Sequence, residues 1–240
     1  VFLESPGSLT FEMQDIPAIV SACKKRDLFT VLDNTWATPL GFRAFDFDVD
    51  VSVHAATKFI GGHSDLLLGL INCNEKTYPR IKQMWRDTGV TPSPDDCFLA
   101  LRGLRTLSTR LSLHEKNGLM LAEWIKARPE VSEVFYPALP DDPGHLIWKR
   151  DYQLATGVFS FVLRETRKEQ IARFFNALTL IKMGWSWGGF TSLITFFEPE
   201  NLRSVSRRDF NGTAIRLAVG LEHPVDLIAD LTRAFEAMSP

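Results

Sequence analysis

The chain has 240 residues, 45% of them hydrophobic, enough to bury a sizeable core in one or two domains. Its 27 basic and 29 acidic residues leave a formal net charge of −2, and neither sign is in the excess that nucleic acid or an anionic membrane would call for. No apolar run approaches the roughly 20 residues of a membrane span, no basic-then-apolar leader is read at the start, and Cys23, Cys73 and Cys97 fall in no metal-like or redox-like spacing, reading as free thiols of a reducing cytoplasm.

In chain order, Val1-Phe2-Leu3 is predicted to form a short buried strand. Asp15 ahead of Ile16-Pro17 marks a helix start, with an apolar face continuing through Val20, Ala22 and Cys23. Apolar runs at 28–32, 49–53 and 66–73 predict three more strands, and their alternation with a helix predicts a parallel-type sheet covered on both faces. Beyond Pro92-Ser93-Pro94, the steps between Phe98, Leu101, Leu104, Leu107 and Leu111 predict a long helix, and a second over 119–127 ends before Pro129. That long helix is read as a joint between two domains, residues 1–105 and 106–240, with the boundary near Arg105. Residues 137–144 form a turn-rich loop. Strands at 157–163, 193–197 and 214–219 then alternate with helices at 169–178 and 225–238 in a smaller α/β layer.

Several residues could carry chemistry. Asp33 follows one apolar run and Lys58 comes shortly after another, and open α/β sheets bind ligands at such strand ends. A carboxylate and an amine there suit pyridoxal 5'-phosphate (PLP), which needs an amine to bond with its aldehyde and an acid opposite its pyridine nitrogen. Taken singly, each has an ordinary alternative: a lysine after a strand is usually a solvated end, and Asp-Asn often just starts a turn. Arg216 among strand apolars is costly unless paired, and a structural ion pair would account for it. Ser186 and Trp187 lie in the Gly-rich turn 184–189, where tryptophans would ordinarily be core. The five histidines show no ligand spacing, so no metal is assigned. Ser8, Ser64 and Ser186 lack the frame of a hydrolase nucleophile. Arg102 and Arg105 read as members of structural ion pairs.

The words around these residues resemble the Cys/Met-metabolism family of PLP-dependent enzymes, which includes cystathionine β- and γ-lyases, cystathionine γ-synthase and methionine γ-lyase. The matching stretches run the length of the chain: Leu3-Glu4-Ser5-Pro6-Gly7, Asp33-Asn34-Thr35-Trp36-Ala37, Ala56-Thr57-Lys58-Phe59 with Gly62-His63-Ser64-Asp65, Arg102-Gly103-Leu104-Arg105-Thr106-Leu107, Phe159-Ser160-Phe161, Ser186-Trp187-Gly188-Gly189, and Ile215-Arg216-Leu217 with Gly220-Leu221-Glu222. Trp187 after Ser186 is most similar to the bacterial β-lyase branch. The resemblance implies an α/β fold of the PLP-dependent transferase-like type (aspartate aminotransferase fold type I), with part of the large PLP domain followed by the smaller C-terminal domain. It implies Lys58 as the cofactor-bearing lysine and Cα base, Asp33 as partner of the pyridine nitrogen, and Thr57 as a phosphate-binding hydroxyl. It also implies Arg216, Ser186 and Trp187 as the substrate-carboxylate site. Two departures stand out: Ala55 replaces a common second phosphate-binding serine, and Trp185 stands where related β-lyases tend to have Tyr.

The implied reaction is cleavage of the amino-acid thioether L-cystathionine to homocysteine, pyruvate and ammonia, a transsulfuration step of methionine biosynthesis. The alternatives are a γ-elimination or γ-replacement enzyme, or a cysteine desulfhydrase. The resemblance further implies a cytoplasmic homotetramer built as a dimer of dimers. Family members carry an N-terminal third with no counterpart here, which supplies a ring-stacking tyrosine and phosphate-binding amides. A further expectation is therefore that the chain alone holds half a site and could be an inactive fragment.

Overall fold

In a computed structural model, residues 1–164, 167–198 and 210–238 are described. The first sheet contains β1 (Phe2–Glu4), β2 (Val31–Asp33), β3 (Val51–Ala55) and β4 (Gly69–Cys73) in that spatial order. The first three strands are parallel and β4 returns antiparallel to β3. The expected strands exist, but β2 and β4 are shorter than their apolar runs and β3 is shifted two residues along, because the ladder begins only where a neighbour is in register: β2 starts at Val31, β3 at Val51 and β4 at Gly69. Val1-Phe2-Leu3 is not the buried strand that was expected. Only Leu3 is buried, while Phe2 is 66% exposed. Asp50 pins the far end of this sheet. One of its oxygens accepts from the Thr30 amide and hydroxyl, both at 2.9 Å, and the other from Asn74 at 3.1 Å.

Helix α1 (Ile16–Lys24) starts where expected, with Asp15 Oδ1 accepting from the Ala18 amide at 3.1 Å. Its buried residues Ile16, Val20 and Cys23 recur at helical spacing. A short helix α2 (Thr38–Gly41) and a 3₁₀ turn (Ala44–Phe47) connect β2 to β3. Helix α3 (Tyr78–Thr88) was not anticipated. It buries no residue, although Tyr78, Ile81 and Trp85 recur at helical spacing and line one open groove.

Helix α4 (Pro94–Leu104), capped by Ser93 onto the Asp96 amide at 3.0 Å, and α5 (Leu107–Lys126) replace the two helices expected here. Helix α5 absorbs both the end of the first apolar pattern and the whole of the second. Leu107 and Leu111 are buried, whereas Phe98, Leu101 and Leu104 face outward. Arg102 and Arg105 are exposed, and neither pairs with a carboxylate among the described residues, contrary to expectation. Since α5 packs on the second sheet and on the last helix, we propose the break at Arg105 as the domain boundary.

The second sheet has the order β5 (Val131–Phe135), β6 (Val158–Arg164), β9 (Gly212–Ala218), β8 (Leu193–Phe197), β7 (Lys182–Met183). It is antiparallel except for the β7–β8 pair. Helix α6 (His145–Asp151) precedes β6. Helices α7 (Lys168–Ala177) and α8 (Pro224–Ala237) pack on each other. Strand β6 is buried from Val158 to Leu163 on both faces, which explains its continuous apolar run. The two layers are tied together by Trp36, whose indole donates to the Val158 carbonyl at 3.1 Å.

Candidate active site

The carboxyl ends of β1 and β2, the loop after β3 and the middle of β9 converge on a cavity of about 200 Å³. Its lining includes Asp33, Lys58, Trp187 and Arg216, residues that are distant in sequence.

Asp33 is the last residue of β2. Its Oδ1 accepts from the Thr35 amide at 2.9 Å and the Thr35 hydroxyl at 2.5 Å, which fixes the carboxylate and leaves Oδ2 without a hydrogen bond among the described residues. The Thr35 oxygen also accepts from the Ala55 amide at 2.9 Å, so β3 holds the carboxylate's support in place.

Lys58 follows β3 in a tight turn, its amide bonded to the Ala55 carbonyl. Nζ donates to Ser186 Oγ at 3.1 Å and lies 5.3 Å from the centroid of the Trp187 ring. Burial pushes the pKa of this amine below the ordinary lysine value, and the Arg216 charge pushes the same way. The turn that carries it is clamped by Arg110, a buried cation on α5. Its guanidinium donates to the carbonyls of Phe59 (2.7 Å), Ile60 (3.2 Å) and Gly103 (2.8 Å), and to Thr106 Oγ1 (3.0 Å). Sequence reasoning missed Arg110; the surrounding helix pattern concealed it.

Arg216 lies on β9, opposite Ser160 of β6 and Thr195 of β8, and is only 8% exposed. Among the described residues it has no carboxylate partner. Its guanidinium donates to the Trp185 carbonyl and lies 5.3 Å from the Trp185 ring centroid. Burial lowers its pKa to about 10, which still leaves it cationic at neutral pH. The ion pair that would have made it structural is absent among the described residues. A buried, charged fork with open donors is a receptor for a carboxylate.

The Ser186–Trp187 turn reaches the lysine because Gly188, at φ +83°, packs on the lysine turn's backbone. A Cβ there would stand 2.7 Å from the Phe59 amide nitrogen. Trp187 packs against Phe59 with ring centroids 5.5 Å apart, and Trp185 is 61% exposed. Of the expected site residues, Thr57 and Ser186 do not line the cavity; Ser186 reaches it only through Lys58 Nζ, and Thr57 is turned elsewhere. Its hydroxyl accepts from the Leu68 amide at 3.0 Å and donates to the Leu68 carbonyl at 3.4 Å. Glu4, Ser8 and Ala55 do line the cavity. Glu4 and Ser8 had not been singled out for a role there, although Glu4 belongs to one of the matching stretches.

Comparison with known proteins places the chain in a family. Residues 1–236 match the family described as Cys/Met metabolism PLP-dependent enzyme. Cystathionine beta-lyase MetC of Escherichia coli (strain K12) is 43% identical, covering 98% of this chain and 61% of that protein. L-alanine/L-glutamate racemase of Wolbachia pipientis wMel is 41% identical, covering 98% and 59%. The crystal structure of cystathionine gamma synthase from Xanthomonas oryzae pv. oryzae, in complex with aminoacrylate and cysteine, superposes with a TM-score of 0.90 at 30% identity, covering 99% of this chain and 63% of that one. The chain thus spans about three fifths of the length of the relatives it matches. With a shared α/β fold and a family match along nearly its whole length, this chain belongs to the Cys/Met metabolism PLP-dependent enzyme family.

Proposed function

We propose that the protein containing this chain is a PLP-dependent carbon–sulfur β-lyase that converts L-cystathionine to homocysteine, pyruvate and ammonia, a step of methionine biosynthesis. The observation that carries the reading is the meeting of Lys58, Asp33 and Arg216, from three separate elements, in one cavity. The donor set fits the cofactor: an amine of lowered pKa for the aldehyde, a carboxylate with one free oxygen for the ring nitrogen, and a separate cation left for the substrate. When bound, PLP supplies an electron sink for charge developing at Cα.

The chain's own residues do the rest. Arg216 binds the substrate carboxylate through a planar fork and so orients the Cα–H bond. Desolvation of Lys58 raises the fraction of neutral amine, the form that can take the Cα proton and then hand a proton to the departing homocysteine sulfur. Ser186 holds Nζ in position at 3.1 Å, and the Trp187 ring lies 5.3 Å from the same amine. Asp33 keeps a negative charge where the ring nitrogen needs a proton. Thr57 joins the phosphate site by redirecting its hydroxyl proton away from the Leu68 carbonyl, where the 3.4 Å bond is weak.

The test is product analysis with PLP and L-cystathionine. Pyruvate with homocysteine supports the β-lyase, whereas 2-oxobutyrate would assign a γ-enzyme and sulfide from cysteine a desulfhydrase. The Wolbachia relative's name gives a second reading, amino-acid racemisation, which D-alanine formed from L-alanine would establish. Absence of any PLP binding by the folded chain would mean a cofactor-free fragment. We also propose a cytoplasmic homotetramer built from dimers, to be checked by light scattering. Among the described residues no helix is long and apolar enough to cross a membrane.

A further inference from the structure

Glu222 ends the stretch Gly220-Leu221-Glu222 that follows β9, and no step of the proposed reaction uses it. Its carboxylate turns back onto Ser192, the residue before β8. Oε1 accepts from the Ser192 amide at 2.7 Å and Oε2 from the Ser192 hydroxyl at 2.8 Å. The hydroxyl oxygen in turn accepts from the Gly220 amide at 2.8 Å, and the Leu221 amide donates to the Phe190 carbonyl at 2.8 Å. A Cβ on residue 220 would stand 2.3 Å from that carbonyl, so the two segments meet backbone to backbone. Helix α5 anchors the clamp from behind. Asn117 Nδ2 donates to the Glu222 carbonyl at 3.1 Å and His114 Nδ1 to the Val219 carbonyl at 2.8 Å, both from the buried face that also carries Arg110.

Ser192 closes one end of the loop that carries Ser186 and Trp187. Its carbonyl accepts from the Lys182 amide at 3.2 Å, and the Ile194 carbonyl accepts from the Gly184 amide at 3.1 Å, which ties the two feet of the loop together. At the tip, the Trp185 carbonyl accepts from Arg216 and Ser186 Oγ accepts from Lys58 Nζ. Trp185 and Ser186 are exposed, whereas Ser192 at the foot is fully buried with its amide, hydroxyl and carbonyl all bonded. We propose that Glu222 is a positioning residue: through Ser192 it fixes the foot of this loop and thereby holds the Ser186 hydroxyl against the amine of Lys58. The inference rests on the reading of Lys58 as the reactive amine. It gives a role to a residue that does not line the cavity.

The experiment is the rate at which trinitrobenzenesulfonate modifies Lys58 in the purified protein freed of cofactor, at mildly alkaline pH, followed by mass spectrometry of the Lys58 peptide. Lys126, paired with Asp141 at the end of α5, is the internal reference for general loosening. The proteins compared are wild type, Glu222→Ala, Glu222→Gln, Ser192→Ala, Ser186→Ala and the Glu222→Ala Ser186→Ala pair. Loss of one hydrogen bond to the amine predicts that Ser186→Ala and Glu222→Ala each speed modification of Lys58 about three- to tenfold, with Lys126 unchanged. An amine without its acceptor is both less charged and more accessible, so the two effects share a sign. Glu222→Gln keeps an acceptor for the Ser192 amide and is expected within about twofold of wild type. The pair should react no faster than Ser186→Ala alone, because both changes act through one contact. An unchanged Lys58 rate in folded Glu222→Ala would overturn the inference, as would effects that multiply in the pair, or a Lys126 rate that rises in parallel. If Glu222→Ala fails to fold by circular dichroism, Ser192→Ala, which removes one of the two bonds, decides by the same criteria. PLP is then added and its visible absorption followed. Wild type that binds none overturns the PLP reading of the site while the modification rates still decide the clamp, whereas wild type that binds while the Lys58 rate ignores Glu222 overturns this inference alone.

Discussion

The pKa of the Lys58 amine is lowered by two causes that can be separated. Desolvation is the larger and the charge of Arg216 the smaller, both favouring the uncharged form. Arg216→Met should therefore move the Lys58 titration back toward ordinary lysine but not all the way, as followed by the pH dependence of its modification by an amine-reactive reagent. Because the folded-state pKa is lowered, charging this amine costs stability: its contribution is full above the ordinary lysine value and falls as pH drops through that range toward the folded value. Lys58→Ala should lower turnover by at least about 10²-fold, the smaller end of what a positioned base contributes, with little change in thermal midpoint. For Arg216→Lys, replacing a fork by a point charge should cost about 1.5–3 kcal/mol of carboxylate binding. This would be read as a fall of kcat/KM by roughly tenfold to a hundredfold. Asp33, Lys58 and Arg216 were legible in the sequence because each is a chemically distinctive residue inside a distinctive word. Glu4 lay in such a word too, but its position beside Asp33 depends on strand register, which no local pattern displays.

At the level of elements, the site depends on three devices that position rather than react. Arg110 on α5 holds the carbonyls of Phe59 and Ile60, and with them the turn that presents Lys58. Arg110→Lys cannot satisfy the same set of acceptors and should destabilise by about 1–3 kcal/mol through stranded buried carbonyls, measured by urea denaturation. Gly188 allows the Ser186–Trp187 turn to lie on the lysine turn's backbone, so Gly188→Ala combines a positive φ with a clash. It should lower activity more than it lowers stability, since the displaced residues are those touching Nζ. Asp230 on α8 staples β7's approach. It accepts from the amides of Thr179, Leu180 and Ile181 at 2.9 to 3.0 Å and from the Thr179 hydroxyl. Burial alone would raise the pKa of this carboxyl, but those bonds outweigh burial and hold it below the ordinary value. Its stabilising contribution is therefore complete above about pH 4, the unfolded aspartate value, and is lost as pH falls through the lower folded value. Acid unfolding of Asp230→Asn should accordingly lack this component. The polar terminus of α1 was readable from Asp15, whereas α3 was missed although Tyr78, Ile81 and Trp85 recur at helical spacing.

For the whole molecule, the two faces of the first sheet are treated differently. One is sealed by the second layer through Trp36 and Phe59, while β4 with α3 lines an open groove of about 990 Å³ that includes Leu67, Ile71, Tyr78, Trp85 and Val90. Apolar exposure on that scale binds hydrophobic dyes and promotes association. The purified 240-residue chain should therefore enhance anilinonaphthalene sulfonate fluorescence, and Ile71→Lys with Trp85→Glu should reduce it. The expectation of a parallel sheet covered on both faces fails at this edge, because β4 runs antiparallel and its outward residues have no cover among the described residues.

The amino-acid order alone determined the identity of the reactive groups and the presence of many of the helices and strands, though not α3 or the break between α4 and α5, because residue chemistry and local periodicity are properties of short stretches. Tertiary structure decided what those groups do to one another. The register that sets Glu4 beside Asp33, the proximity of Arg216 that weakens the proton affinity of Lys58, and the diversion of Thr57 onto Leu68 all arise between segments far apart in sequence or turned away from the ladder. Such contacts are made by the packing of sheets and turns, and packing is a property of the whole chain.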